Sequence, residues 1–218
     1  MKTAVICAMR RELDAITAEM ENVSVSRQRG FEIFTGELYG KRVAACLSGV
    51  GKAYAAAATA VLIERFSPEI IINSGVAGGA PGLKKGEVFI AERAAEHDYS
   101  VPDEPVRFFE ADASLVEDAV CACKEEGCAY RKGVIASGDR FVTGEKEVAR
   151  LQSVFGADAF DMECAAVMKI CAFAGVKALC VRAISDNGDD DGMESYYEFL
   201  DSSARQSAAI VKKLIKMR

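Results

Sequence analysis

Three carboxylates in this chain stand where an apolar run gives way to polar residues, and their placement invites a chemical reading. Glu12 follows TAVICAM (3–9), Glu163 follows ADAFDM (157–162), and Asp186 follows ALCVRAI (178–184) with only Ser185 between. If those runs are strands of one sheet, three acids meet at one pocket. Paired carboxylates with separated pKa values are the usual equipment for cleaving a glycosidic bond, one as acid and one as base. Taken singly, each also reads as an acid favoured by the positive end of a helix. Both readings stand at this point.

Other motifs carry weaker chemistry. LSGVGK (47–52) resembles half of a phosphate loop, but the spacing is short and Ala53 replaces the hydroxyl residue that holds magnesium. Gly49 and Gly51 there let a backbone pass close to a ligand at a helix start. From Asn187, acids at positions three and five, Gly192 at six and Glu198 at twelve echo a calcium loop. Position one is Asn187, position eight is Glu194, and a strand precedes it, so Asp189–Asp191 read better as a solvated turn. The single histidine, His97, is a general-base candidate beside Asp98, although its spacing suits a packing or surface residue better. Cys121, Cys123 and Cys128 lie close together, yet with one distant histidine they form no zinc pattern.

The elements that would position these groups alternate along the chain. Strands are expected at 3–9, 31–40, 41–49, 69–75, 87–93, 131–138, 157–162 and 178–184. Helices are expected from 10 to about 21, 52–66, near 112–126, 144–154, 163–174 and 194–216. The last has Tyr197, Leu200, Ala204, Ala208, Val211 and Ile215 at helical spacing. Continuous apolar strands such as Ile70–Asn73 mark a sheet covered on both faces. Alternating strands and helices then give one three-layer α/β domain over residues 1–218, whose ligands bind at strand ends.

Composition narrows the function. Of the 218 residues half are apolar, and the net charge is −6. That balance argues against anionic partners such as nucleic acid or a membrane surface. No run approaches the roughly 20 apolar residues that span a bilayer, and the N-terminus lacks a signal-peptide pattern. Of the eight cysteines, Cys46, Cys164, Cys171 and Cys180 sit in apolar runs. Free thiols and a reducing, cytoplasmic setting are expected.

AMRRELDAI, LSGVGKAYAA, IINSGVAGG, ASGDRFV, FDMECAAV and VRAISD occur in that order and span nearly the whole chain. Together they resemble the 5′-methylthioadenosine/S-adenosylhomocysteine nucleosidases of the purine nucleoside phosphorylase superfamily. The resemblance implies a phosphorylase/hydrolase-like fold, with a central twisted, partly closed mixed sheet flanked by helices, assembled as a homodimer. It implies hydrolysis of the adenine N9–C1′ bond of a small-molecule nucleoside, with no cofactor and no metal. By that similarity Asp186 is the general acid at adenine N7, oriented by Ser185, and Glu12 activates the water with support from Arg182. Glu163 and the Met162 backbone hold the ribose hydroxyls, Phe141 stacks on the base, and the Val142 backbone reads its edge. Met9, Val50, Val76, Ala77 and Gly78 line the pocket.

Two departures stand out. Val76 occupies the place where the family pattern has a serine that helps hold the water. The segment 99–112 is shorter than the loop that completes the 5′-substituent pocket, with Phe108 or Phe109 as substitutes. A phosphorylase would need a cationic pocket, for which Arg10 and Arg11 are at hand, but Asn73 stands where an arginine is expected. A nucleoside-binding protein without turnover is the third reading.

Overall fold

The computed structural model describes residues 2–189 and 191–218. In chain order its elements are β1 (Thr3–Cys7), α1 (Arg10–Thr17), β2 (Glu21–Gln28), β3 (Phe31–Leu38), β4 (Lys41–Leu47), α2 (Lys52–Phe66), β5 (Ile70–Gly79) and β6 (Val88–Glu96). There follow β7 (Phe108–Glu110), α3 (Ala113–Glu125), β8 (Tyr130–Ser137), α4 (Glu145–Phe155), β9 (Ala159–Asp161), α5 (Cys164–Ala174), β10 (Lys177–Asp186) and α6 (Gly192–Met217).

The apolar runs form the strands because both faces of the sheet are covered. On β1, Ala4 and Ile6 join a core beneath α2 and α5, while Val5 and Cys7 join a core beneath α1, α3 and α6. Ile71 and Ile72 divide the same way on β5. Two-residue periodicity thus sends alternate side chains into two cores, which is why no polar alternation shows in the sequence. A third cluster joins Val148, Leu151 and Phe155 of α4 to Ala136 and Phe160.

Among the described residues the sheet has ten strands. β5 pairs in parallel with β10 and antiparallel with β9, and β10, β6, β8 and β9 pair onward to close a ring. From β5 the sheet also runs outward through β1, β4, β3 and β2. The expected mixed, partly closed sheet flanked by helices is what forms.

Three local differences have physical causes. β2 is not among the expected strands: it is an edge strand, largely exposed, and pairs with β3 through a turn in which Arg29 and Gly30 both have positive φ. β5 continues past Gly75 to Gly79, because its small residues pass between β9 and β10. On α6 the apolar stripe includes Leu200, Ala204, Ala208, Val211 and Ile215, but Tyr197 is 69% exposed and Tyr196 turns inward instead. A shift of one position rotates a side chain by about 100° around a helix. Among the described residues no helix is long and apolar enough to cross a membrane.

Ile72, fully buried near the start of β5, tests this packing. Ile72→Ala is expected to cost about 2–5 kcal/mol, read from the denaturant midpoint at unchanged slope. A cost below about 1 kcal/mol would contradict a tightly filled centre.

Candidate active site

A cavity opens where β1, β5, β9 and β10 end. It is lined by Met9, Glu12, Val50, Val76, Ala77, Gly78, Phe141, Val142, Met162, Glu163, Ser185 and Asp186. Every site residue singled out in the sequence is therefore brought to this cavity except Arg182. Ala8, Arg140, Phe160, Asp161 and Tyr196 line it too, and sequence reasoning did not single them out.

Glu12 sits in the first turn of α1 and is 3% exposed. Its Oε2 accepts from the backbone N–H groups of Ala8 (3.0 Å) and Met9 (2.9 Å), and its Oε1 from that of Val76 (3.1 Å). The carboxyl is thus clamped between the segment just after β1 and the second half of β5. Burial pushes its pKa up, against the pull of Arg182 and the three N–H donors. A carboxylate raised in this way accepts a proton more readily than an ordinary one. Val76 lacks the expected hydroxyl, but its backbone N–H holds Glu12 directly.

Asp186 ends β10 and is 1% exposed. The pairing with β5 is irregular between Ile184 and Asp186, a bulge that lets both Ser185 and Asp186 line the cavity. Its Oδ2 accepts from Ser185 Oγ (2.9 Å) and its Oδ1 from Gly188 N–H (3.0 Å). Burial is the main cause that raises its pKa, and Asp189 adds to it. Of the acidic run after Asp186, Asp191 faces solvent. Asp189 is half-buried, and its Oδ1 has no hydrogen-bond partner among the described residues. Asp189 is therefore not the solvated residue the sequence suggested, and Asp190 lies outside the described residues.

Glu163 precedes α5 and accepts from Gly51 N–H (2.9 Å). Burial, then the neighbouring Asp161, pushes its pKa up to about 8, against Arg182 and Gly51. Gly51, with φ of +107°, and Gly49 let the LSGVGK turn deliver that donor. Phe141 meets Tyr196 edge-on with ring centroids 5.5 Å apart, and the Tyr196 hydroxyl donates to Met9 Sδ (3.2 Å).

Arg182 lies beneath the cavity rather than on its wall. At 1% exposure, its Nη2 donates to Asp161 Oδ2 (2.5 Å) and Asn73 Oδ1 (2.5 Å), and it lies 3.9 Å from Glu163. Position along β10 determines this: Arg182 is four residues inside the strand end. Arg10 and Arg11 turn away from the cavity to Glu32 and Asp201. Phe109 lines a second cavity with Tyr99 and Phe173, and neither Phe108 nor Phe109 lines the first. His97 is buried outside the first cavity, with neither ring nitrogen partnered among the described residues. Burial holds its pKa down.

Two glycines explain how large acids lie flat on a strand. A Cβ at Gly75 would sit 2.6 Å from Glu12 Oε1, and one at Gly78 would sit 2.8 Å from Asp186 Oδ1.

A cavity of acids at the strand ends of a partly closed α/β sheet defines a class, and the chain belongs to the phosphorylase superfamily, whose family model matches residues 2–216. Within it the chain belongs with the 5′-methylthioadenosine/S-adenosylhomocysteine nucleosidases. A relative of that name from Actinobacillus succinogenes is 35% identical, covering 97% of this chain and 96% of the relative. The solved nucleosidase of Neisseria meningitidis, in complex with methylthio-immucillin-A, is 38% identical with a TM-score of 0.95, covering 100% and 99%. The futalosine hydrolase of Helicobacter pylori is also similar, 29% identical with a TM-score of 0.95, covering 100% and 98%.

Two predictions follow from this geometry. Gly78→Ala should displace the Asp186 carboxyl and lower kcat on a cleaved nucleoside by about 10–100-fold in a folded protein; an unchanged kcat would show that the carboxyl has room. Glu163→Gln should stabilise the protein increasingly as pH rises. A raised carboxyl pKa contributes stability that is full below the ordinary value of 4.5 and is lost as pH passes about 8. The melting-temperature advantage of E163Q should therefore widen from about pH 6 to about pH 9, and an advantage that narrows would contradict the assignment.

Proposed function

We propose that this chain hydrolyses the N-glycosidic bond of 5′-thio-substituted adenine nucleosides, 5′-methylthioadenosine and S-adenosylhomocysteine, to adenine and the thio-ribose. The observation that carries the reading is the pair Glu12 and Asp186. Both carboxyls face one cavity, both are almost fully buried, and both have raised pKa values. Nearness to the named nucleosidases supplies the substrate class.

Each residue has a task in that reaction. Phe141 stacks on the adenine and the Val142 backbone reads its edge. Asp186, carrying its proton and oriented by Ser185, gives it to adenine N7 as the C1′–N9 bond breaks. The electron pair of that bond leaves with the base, which the proton neutralises. Glu163 and the Met162 backbone hold the ribose hydroxyls while positive charge builds at C1′. Water then bonds to C1′ and gives its proton to Glu12. Arg182 acts from below, tying Asp161 in place and drawing on Glu163 and Glu12 by charge. Met9, Val50, Ala77 and Gly78 shape the walls.

Hydrolysis is favoured over phosphorolysis by where the arginines go. Arg10 and Arg11 are paired on the surface, and Arg140, which lines the cavity, is paired with Glu147. The likeness to a futalosine hydrolase favours hydrolysis of futalosine as a second reading.

We further assign the chain to the cytoplasm as a single catalytic domain that pairs as a homodimer. Its eight cysteines are all free, as a reducing compartment keeps them. Tyr54 and Phe173 expose apolar side chains on the α2–α5 layer, a surface suited to a second copy.

Product analysis with 5′-methylthioadenosine, S-adenosylhomocysteine, adenosine, inosine and futalosine, each with and without phosphate, tests the function. Free base and free sugar without phosphate are expected, and a sugar 1-phosphate formed only with phosphate would overturn it. Asp186→Asn and Glu12→Gln should each lower kcat by about 10²–10⁴-fold while ligand binding persists. A variant keeping most of its turnover would remove that residue from the mechanism.

A further inference from the structure

The lysine of LSGVGK has no part in the chemistry above, yet it is largely buried. The Lys52 side chain is 13% exposed, and its Nζ is paired with Asp98 and with Glu96 Oε1 (3.1 Å). The other oxygen of Glu96 takes Lys169 of α5 (2.7 Å). The second oxygen of Asp98 accepts the backbone N–H of Asp139 (2.8 Å). Asp139 Oδ1 in turn accepts the backbone N–H of Lys52 (2.7 Å).

These contacts close a ring: Lys52 to Asp98, Asp98 to Asp139, Asp139 back to Lys52. Each link joins a different part of the fold, the start of α2, the segment just after β6, and the loop that follows β8. None of the three residues lines the cavity. Their chain neighbours do: Val50 precedes Lys52 by two positions, and Phe141 follows Asp139 by two. Gly51, next to Lys52, donates to Glu163, and a Cβ on Gly51 would lie 3.0 Å from Asp139 Oδ1. Charge-assisted bonds of this kind are short and directional, and a closed set resists distortion better than a lone surface pair.

We propose that Lys52, Asp98 and Asp139 are positioning residues that fix the Gly51 N–H against Glu163 and set the distance from that carboxyl to Phe141. Through this ring the protein holds its sugar-binding and base-stacking groups in register without any ring member touching the substrate. The inference rests on the roles proposed for Glu163 and Phe141. It gives the LSGVGK segment a task, since its lysine grips protein carboxylates rather than a phosphate.

The test compares 5′-methylthioadenosine with its 2′-deoxy counterpart, because a slack ring should weaken recognition of the sugar hydroxyls in particular. Lys52→Met and Asp139→Ala are expected to lower kcat/KM on the ribonucleoside about tenfold and to lower it much less on the deoxynucleoside, shrinking the preference for ribose. Asp139→Asn keeps an oxygen acceptor and should retain most of that preference. A general loss of fold would lower both substrates together, and melting curves register it separately. An unchanged preference in K52M and D139A, at whatever activity, would overturn the proposal. If the unaltered protein cleaves neither nucleoside, the functional reading falls by itself. The same comparison then passes to calorimetric affinities for adenosine and 2′-deoxyadenosine, where an unchanged ratio, or no binding of either, overturns the ring's role as well.

Discussion

A guanidinium with no access to water governs the geometry of this protein. Arg182 is almost fully buried, and an unpaired charge in that setting would cost several kcal/mol. Its partners are drawn from neighbouring strands: Asn73 of β5, through side chain and carbonyl, and Asp161 of β9. Asp161 is held further by Ser137 Oγ and by the N–H of Cys164 (2.9 Å), which fixes the start of α5. The strands converge where this one cation is satisfied, and Glu163 leaves the chain two residues after Asp161.

The same burial divides labour among the acids. Asp161 has the direct ion pair. Glu12 and Asp186 lie in the same poorly solvated region without such a pair, Glu163 has only the longer 3.9 Å approach of Arg182, and all three are pushed upward. Burial disfavours the charged form, while a nearby opposite charge restores it. One arginine among several carboxyls therefore separates a structural acid from acids able to carry or take a proton. The glycines of β5 complete the arrangement, since Glu12 and Asp186 can rest against the strand only where no Cβ stands.

Much of this was legible in the residues because Glu12, Glu163 and Asp186, the acids singled out, each lie at the end of an apolar run. Strands buried on both faces announce themselves through unbroken hydrophobicity, so β1, β5 and β10 could be read directly. β2 could not, because an exposed edge strand buries no face and leaves no pattern. The continuation of β5 was hidden by glycines that usually signal a turn. Arg182 was recognised, but its place beneath the site depends on strand register, which is a tertiary property. Tyr196 and Tyr197 are adjacent tyrosines, and only the start of α6 decides which of them faces inward. The support that Val76 gives to Glu12 comes from its backbone, so no side-chain identity could disclose it. Asp161 looked like part of a motif rather than the partner of a buried cation.

The sign of the site separates water from phosphate as the nucleophile. Among the residues lining the cavity are Glu12, Asp161, Glu163 and Asp186, with Arg140 as the cation, itself engaged by Glu147. A phosphate dianion entering near Glu12 would meet that carboxylate and, among the described residues lining the cavity, no guanidinium free of a partner, and juxtaposed like charges cost several kcal/mol. Converting Glu12 to its acid would reduce the repulsion but would also remove the base proposed above. A water molecule is neutral and meets no such barrier. It needs one acceptor for its proton, and three backbone N–H groups fix the carboxyl of Glu12, the acceptor proposed above. On the proposed reading, the arrangement that disfavours the anion is the one that would activate water.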